Sequence, residues 1–101
     1  MSGVSYPYAY AYETVAASQT AQVLGGTGAI GDYLHRIVVT VSTALTGTVT
    51  ILDGSTSIAV VPASTTIGVY SIELNMRSAT GPWKVTTGSG VTVIAVGIFS
   101  A

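Results

Sequence analysis

One stretch of this sequence has the spacing of a phosphate-binding turn. Gly26-Thr27-Gly28-Ala29-Ile30-Gly31 is a G-x-G-x-x-G that follows the short run Gln22-Val23-Leu24, and an acid, Asp53, stands about 20 residues beyond it. In a dinucleotide site such glycines let the backbone approach a pyrophosphate. A helix beginning at the last of them aims its N-terminus at the phosphates, and the acid takes a ribose hydroxyl. That chemistry depends on the helix. The residues that follow are Ile37-Val38-Val39-Thr40-Val41-Ser42-Thr43, a β-branched run whose χ1 is restricted in a helix and fits a strand. No second βαβ unit lies downstream, so the glycines are expected to form a flexible turn and no cofactor is expected.

The other reactive residue types are isolated. His35 is the sole histidine and stands between Leu34 and Arg36; there are no cysteines, so no imidazole or thiolate is available to share a metal with it. The serines lack a base in a recognisable arrangement, and a hydroxyl without a base and an orienting group is not a nucleophile. Asp53 precedes Gly54, where turn geometry accounts for it. Glu13 and Glu73 would work as paired carboxylates only if the fold happened to bring them together. Neither catalysis nor a metal is expected. The local run Val23-Leu24-Gly25-Gly26-Thr27-Gly28-Ala29-Ile30-Gly31 resembles the opening of a short-chain dehydrogenase, and the strand-forming sequence behind it removes the context which that resemblance needs.

The elements that must position these residues are strands. The chain has 101 residues, enough for one core, with 49% hydrophobic and only 7% charged residues, against about 25% charged in ordinary domains. Glu13, Asp32, Arg36, Asp53, Glu73, Arg77 and Lys84 are scattered singly, which leaves no basic patch for phosphates, so nucleic acid is not an expected partner. Mean hydropathy is +0.63, yet no run approaches the roughly 20 apolar residues of a spanning helix, and no membrane contact is expected. The N-terminus lacks the basic start and apolar run of a secretory signal, and no export is expected. Without disulfides, stability comes from burial, which a subunit contact would extend.

Turn residues at Gly25-Gly26-Thr27-Gly28, Asp53-Gly54, Pro62, Gly68, Gly81-Pro82 and Gly88-Ser89-Gly90 divide the chain into strands expected at 22–24, 33–42, 46–52, 57–61, 69–74, 83–87 and 91–99. The fold class expected is all-β, a single antiparallel β-sandwich over 14–101 with an extended, tyrosine-rich N-terminal arm over 1–13. Alternation puts Ile37, Val39 and Val41 on one side, as it does Val49 with Ile51, Tyr70 with Ile72 and Leu74, and Trp83 with Val85; these form the expected core. The last strand is apolar on both sides: Val91, Val93, Ala95 and Phe99 on one, Ile94, Val96 and Ile98 on the other. A sheet of a monomer ordinarily wets one face, so Ile94, Val96 and Ile98 are candidate interface residues, to be covered by the protein's own loops or by another subunit. Tyr6, Tyr8, Tyr10 and Tyr12 alternate with Pro7, Ala9 and Ala11; in an extended chain the four rings share a side and form a second candidate interface, on a neighbour or on the domain's own edge.

From about Thr14 to Phe99 the order of segments resembles small virion proteins of tailed phages. It runs through Gln19-Thr20-Ala21-Gln22-Val23-Leu24, Leu34-His35-Arg36-Ile37-Val38-Val39 and Gly47-Thr48-Val49-Thr50-Ile51-Leu52-Asp53-Gly54. Ile72-Glu73-Leu74-Asn75-Met76-Arg77, Gly81-Pro82-Trp83-Lys84-Val85-Thr86-Thr87-Gly88 and a closing Val-Thr-Val-Ile-Ala-Val strand complete it. The pattern is similar to the jelly-roll domains used as head decoration, or cement, proteins. The resemblance implies a non-enzymatic subunit, often a homotrimer, made in the host cytoplasm. On the capsid surface it would clamp neighbouring major capsid proteins against the pressure of packaged DNA. It brings no catalytic residues. A tail, neck or fibre component is the alternative within the same class, and a carbohydrate-binding sandwich that stacks sugars on tyrosines or Trp83 is the alternative from another.

Overall fold

The computed structural model describes residues 10–44 and 46–100. Eight strands carry the fold: β1 (Ala11–Val15), β2 (Gln22–Val23), β3 (Tyr33–Val41), β4 (Val49–Asp53), β5 (Thr56–Val61), β6 (Gly68–Arg77), β7 (Trp83–Thr86) and β8 (Val91–Ile98). All pairings are antiparallel, in two four-stranded sheets ordered β1-β8-β3-β6 and β2-β7-β4-β5. This order follows from one long hairpin. With its tip at Gly54-Ser55, β4 pairs with β5, β3 with β6, β2 with β7 and β1 with β8. Wrapping the ribbon sends alternate pairs to opposite sheets and adds the β3·β8 and β4·β7 contacts. The result is an eight-stranded jelly roll, the all-β sandwich expected.

The core is the set of inward-facing alternate residues. Leu34, Ile37, Val39, Val41, Val91, Val93 and Ala95 come from one sheet, Val49, Ile51, Trp83 and Val85 from the other, and all are buried. Tyr70, Ile72 and Leu74 pack against this cluster but are only partly buried. Two strands differ from the sequence expectation: β6 continues through Asn75 and Met76 to Arg77, while β4 is shorter, beginning only at Val49 and ending on Asp53. Strand β1 has no β-branched run to announce it. Ala11–Val15 pairs with Gly97 to Val93 of β8, so the boundary drawn between residues 13 and 14 falls inside a strand of the sandwich.

Candidate docking face

The candidate interface residues that the structure describes, Tyr10, Tyr12, Ile94, Val96 and Ile98, lie on the outer face of the β1-β8-β3-β6 sheet. Cross-strand register builds it in rows. Tyr12 of β1, Val96 of β8, Arg36 of β3 and Glu73 of β6 form one; Thr14, Ile94, Val38 and Ser71 form the next. Ile98 stands beside Tyr33, which in turn opposes Arg77. Because β8 lies between β1 and β3, its outward Ile94, Val96 and Ile98 fall along the middle of the face. Ile94 and Val96 are half-buried by their neighbours, Ile98 is 45% exposed and Tyr12 71% exposed. Among the described residues no strand lies over this side. Tyr10, Tyr12, Ile94, Val96 and Ile98 are thus brought together; Tyr6 and Tyr8 lie outside the described residues.

A register shift between Leu34 and Arg36 gives the face a polar-aromatic corner. The bulge leaves Leu34 and Ile37 inward and buried while inserting His35 between them, next to exposed Arg36. Tyr10 stacks on the His35 ring with centroids 4.7 Å apart and planes at 23°, and its ring also lies 5.7 Å from that of Tyr33. The Tyr33 hydroxyl donates to Asn75 Oδ1 at 3.0 Å and lies 3.3 Å from His35 Nδ1. It has one proton to give, so the contact with His35 is a hydrogen bond only in a ring form whose Nδ1 carries a hydrogen. Partial burial raises the Tyr33 pKa above its ordinary value, reinforced by the charge and hydroxyl of Tyr10 and by Glu73. Alternation alone does not single out Tyr33 and His35, because a bulge cannot be seen in the period of side chains.

The other candidate residues have structural partners. The G-x-G-x-x-G forms a loop between β2 and β3 with no helix behind it. Gly28 has φ +64°, its N–H donates to Ser100 O, and a Cβ there would run into the Pro82 ring. Asp53 is buried and accepts N–H bonds from Ala79, Thr80 and Gly81 at 2.8, 3.1 and 3.2 Å. Burial opposes its charge, yet those three N–H groups and the Thr80 hydroxyl outweigh that effect and hold its pKa below the ordinary value. Asp32 ties down the segment that follows β8: its carboxylate accepts from Ala29 N–H, Ser100 N–H and the Ser100 hydroxyl.

Glu13 and Glu73 do not meet. Glu13 sits at the β1 edge, accepting from Gln22 Nε2 and Gly25 N–H, each at 2.7 Å, whereas Glu73 is exposed on β6 at the opposite edge of the same sheet. Trp83 is buried and donates from Nε1 to Asp32 O at 2.9 Å, so it offers no stacking platform to a sugar. Among the described residues no three of His, Asp and Glu are grouped as metal ligands, and no helix is long and apolar enough to cross a membrane. No family model matches the chain, and no curated protein or solved structure shows significant similarity to it.

Proposed function

We propose that this chain is a non-enzymatic structural subunit of a virion, a capsid decoration protein that attaches to major capsid protein through the outer face of its β1-β8-β3-β6 sheet. One observation carries this reading. The middle strand of the sheet is apolar on both sides, and its outer row of Ile94, Val96 and Ile98, bordered by Tyr12, is left uncovered by the described residues. Burying that row on a partner removes apolar area from water at about 25 cal/mol per Å², and a buried tyrosine at the centre of such a contact contributes ~1–2 kcal/mol or more. A chain with only 7% charged residues suits permanent burial in an assembly better than free diffusion.

The test is attachment of the full chain to undecorated capsids built from the major capsid protein. Tyr12→Ser and Ile98→Glu alter two exposed side chains, so the domain should fold as before while binding falls at least tenfold. Unchanged decoration by the double variant would refute this docking face. Attachment to isolated tails in place of heads would move the protein to the tail, neck or fibre class. Saturable binding on a glycan array with no particle attachment would favour the carbohydrate reading, which with Trp83 buried rests on the tyrosines alone.

A further inference from the structure

The two flanks of the sandwich, where the edges of one sheet meet those of the other, are finished differently. On the β1/β2 flank, Gln22 Nε2 donates to the Glu13 carboxylate and to Thr14 O, Gly25 N–H donates to Glu13, and Val15 and Leu24 are fully buried behind them. Among the described residues no such closure protects the β5/β6 flank. Tyr70, Ile72 and Leu74 point to the same interior as Ile37, Val39 and Val41 of neighbouring β3, yet the β3 residues are 0–1% exposed while the β6 residues are only half-buried. Ala59 of β5 is likewise half-buried, and Val60, Ile67 and Val69 around the same flank are 54–69% exposed.

Strand β6 is also the longest in the molecule, with 10 residues, and is paired on one side only, by β3. It holds no proline and no lysine, the residues that ordinarily keep an exposed edge from pairing. Its charges, Glu73 and Arg77, cancel.

We propose that the β5/β6 flank is a self-association surface on which a second copy of this chain pairs its β6 antiparallel to this one, about a two-fold axis at Ser71. The chain's own geometry sets that axis. Asn75, at φ +51°, interrupts the regular strand, leaving 68–74 as the segment able to extend a ladder, and Ser71 is its midpoint. Antiparallel pairing about Ser71 places Tyr70 opposite Ile72 of the partner subunit and Ile72 opposite the partner's Tyr70, aromatic against β-branched on the interior side. The short Ser71 side chains meet at the axis. Leu74 falls opposite Gly68 of the partner subunit, over which that copy's Tyr70 ring lies, so leucine would meet the aromatic ring. A seven-residue ladder about 23 Å long on a flank about 20 Å deep, from strand rise and sheet spacing with outer side chains, would bury roughly 460 Å² per copy and about 920 Å² in all, the size of a weak, reversible association. The symmetry is two-fold, in contrast to the trimer that the resemblance to decoration proteins implies, and the contact does not depend on the capsid reading.

Sedimentation equilibrium over a concentration series reaching roughly 1 mM, as a weak contact requires, should give a mass that rises toward twice the 10.2 kDa of the chain. Ser71→Lys and Ser71→Glu, each at an exposed position, should each sediment as monomers, and an equimolar mixture of the two should recover the dimer. The chain has no cysteine, so Ser71→Cys should cross-link on mild oxidation to a dimer, because residues directly opposed in an antiparallel pair hold their Cβ atoms about 5 Å apart. Thr92→Cys, on the outer face of β8, should not. A wild-type monomer, a three-copy mass, a dimer that survives Ser71→Lys, or failure of Ser71→Cys to cross-link would each overturn the proposal. Capsid attachment is read separately with the Tyr12 and Ile98 variants, so one proposal can fail without the other.

Discussion

Asp53→Asn should destabilise the protein more than any loop substitution that leaves packing alone. The carboxylate's Oδ2 accepts from Ala79 N–H and its Oδ1 from Thr80 and Gly81 N–H, which pins the β6–β7 connection to the end of β4. Three bonds to a charged acceptor at about 1.5 kcal/mol each would be replaced by two neutral bonds at about 1 kcal/mol each, a loss of about 2.5 kcal/mol. The new amide would turn an N–H toward that of Ala79, and an orphaned buried donor adds about 1 kcal/mol. The sum, about 3.5 kcal/mol, corresponds to a fall in Tm of roughly 14–28 °C for a domain of this size. Because the folded pKa lies below the ordinary 3.8, the carboxylate's contribution is complete above that value and disappears as pH falls through the lower folded one. Thermal melts of both proteins from pH 7 to pH 2 should therefore show a wide gap at neutral pH that closes in acid. A fall below about 5 °C at pH 7, or a gap that does not change with pH, would mean that water or a rearranged turn satisfies those N–H groups and that the three bonds do not hold the loop.

Gly28→Ala should cost about 2–4 kcal/mol, since it combines a left-handed backbone with a collision against Pro82; nucleotides should shift the melting temperature of neither wild type nor variant, and a saturable NAD-dependent shift would restore the dinucleotide reading. Glu13→Ala should cost about 1–2 kcal/mol by unpairing Gly25 N–H and Gln22, measured by urea denaturation. Tyr33→Phe should change the alkaline limb of stability: with its pKa raised, the stability tied to neutral Tyr33 is present below pH 10.0 and is lost as pH rises through the higher folded value, so the variant should lack that part of the loss in a pH-dependent melt. Deleting residues 2–9 removes Tyr6 and Tyr8 while sparing β1, so the domain should stay folded by circular dichroism while particle attachment weakens.

Much of the fold can be read from period and punctuation. Seven strands are visible because Val, Ile and Thr alternate between glycine- or proline-containing turns, and the same alternation picks out Ile37, Val39, Val41, Val49, Ile51, Trp83 and Val85 as interior. What alternation cannot carry is pairing over distance. β1 is held by β8 some eighty residues later, and its Ala11-Tyr12-Glu13-Thr14-Val15 has too little β-branched character to stand out from the tyrosine run before it. The bulge at His35 is hidden for a related reason: an inserted residue is defined by its partner strand, which lies far along the chain. The roles of the aspartates are hidden as well. Asp53-Gly54 looks like a hairpin tip, and it is one, but its carboxylate serves a different loop 26–28 residues away.

The doubly apolar β8 takes its meaning from its position. In an edge strand, Ile94, Val96 and Ile98 would form a narrow ridge that a single loop could shelter. The jelly-roll order instead puts β8 between β1 and β3, so its outer residues are flanked by Tyr12 on one side and by Val38 and Tyr33 on the other, and the ridge widens into a face. The opposite flank differs in kind: at β6 both apolar side chains and a free backbone edge are exposed, and a free edge selects for another strand. An exposed apolar row and an unpaired edge make different demands, the first for a shaped surface and the second for extended backbone. The two contacts proposed for this small domain differ in character, one toward a dissimilar partner and one toward a second copy, and together they would cover more apolar surface of a chain with so little charge than either would alone.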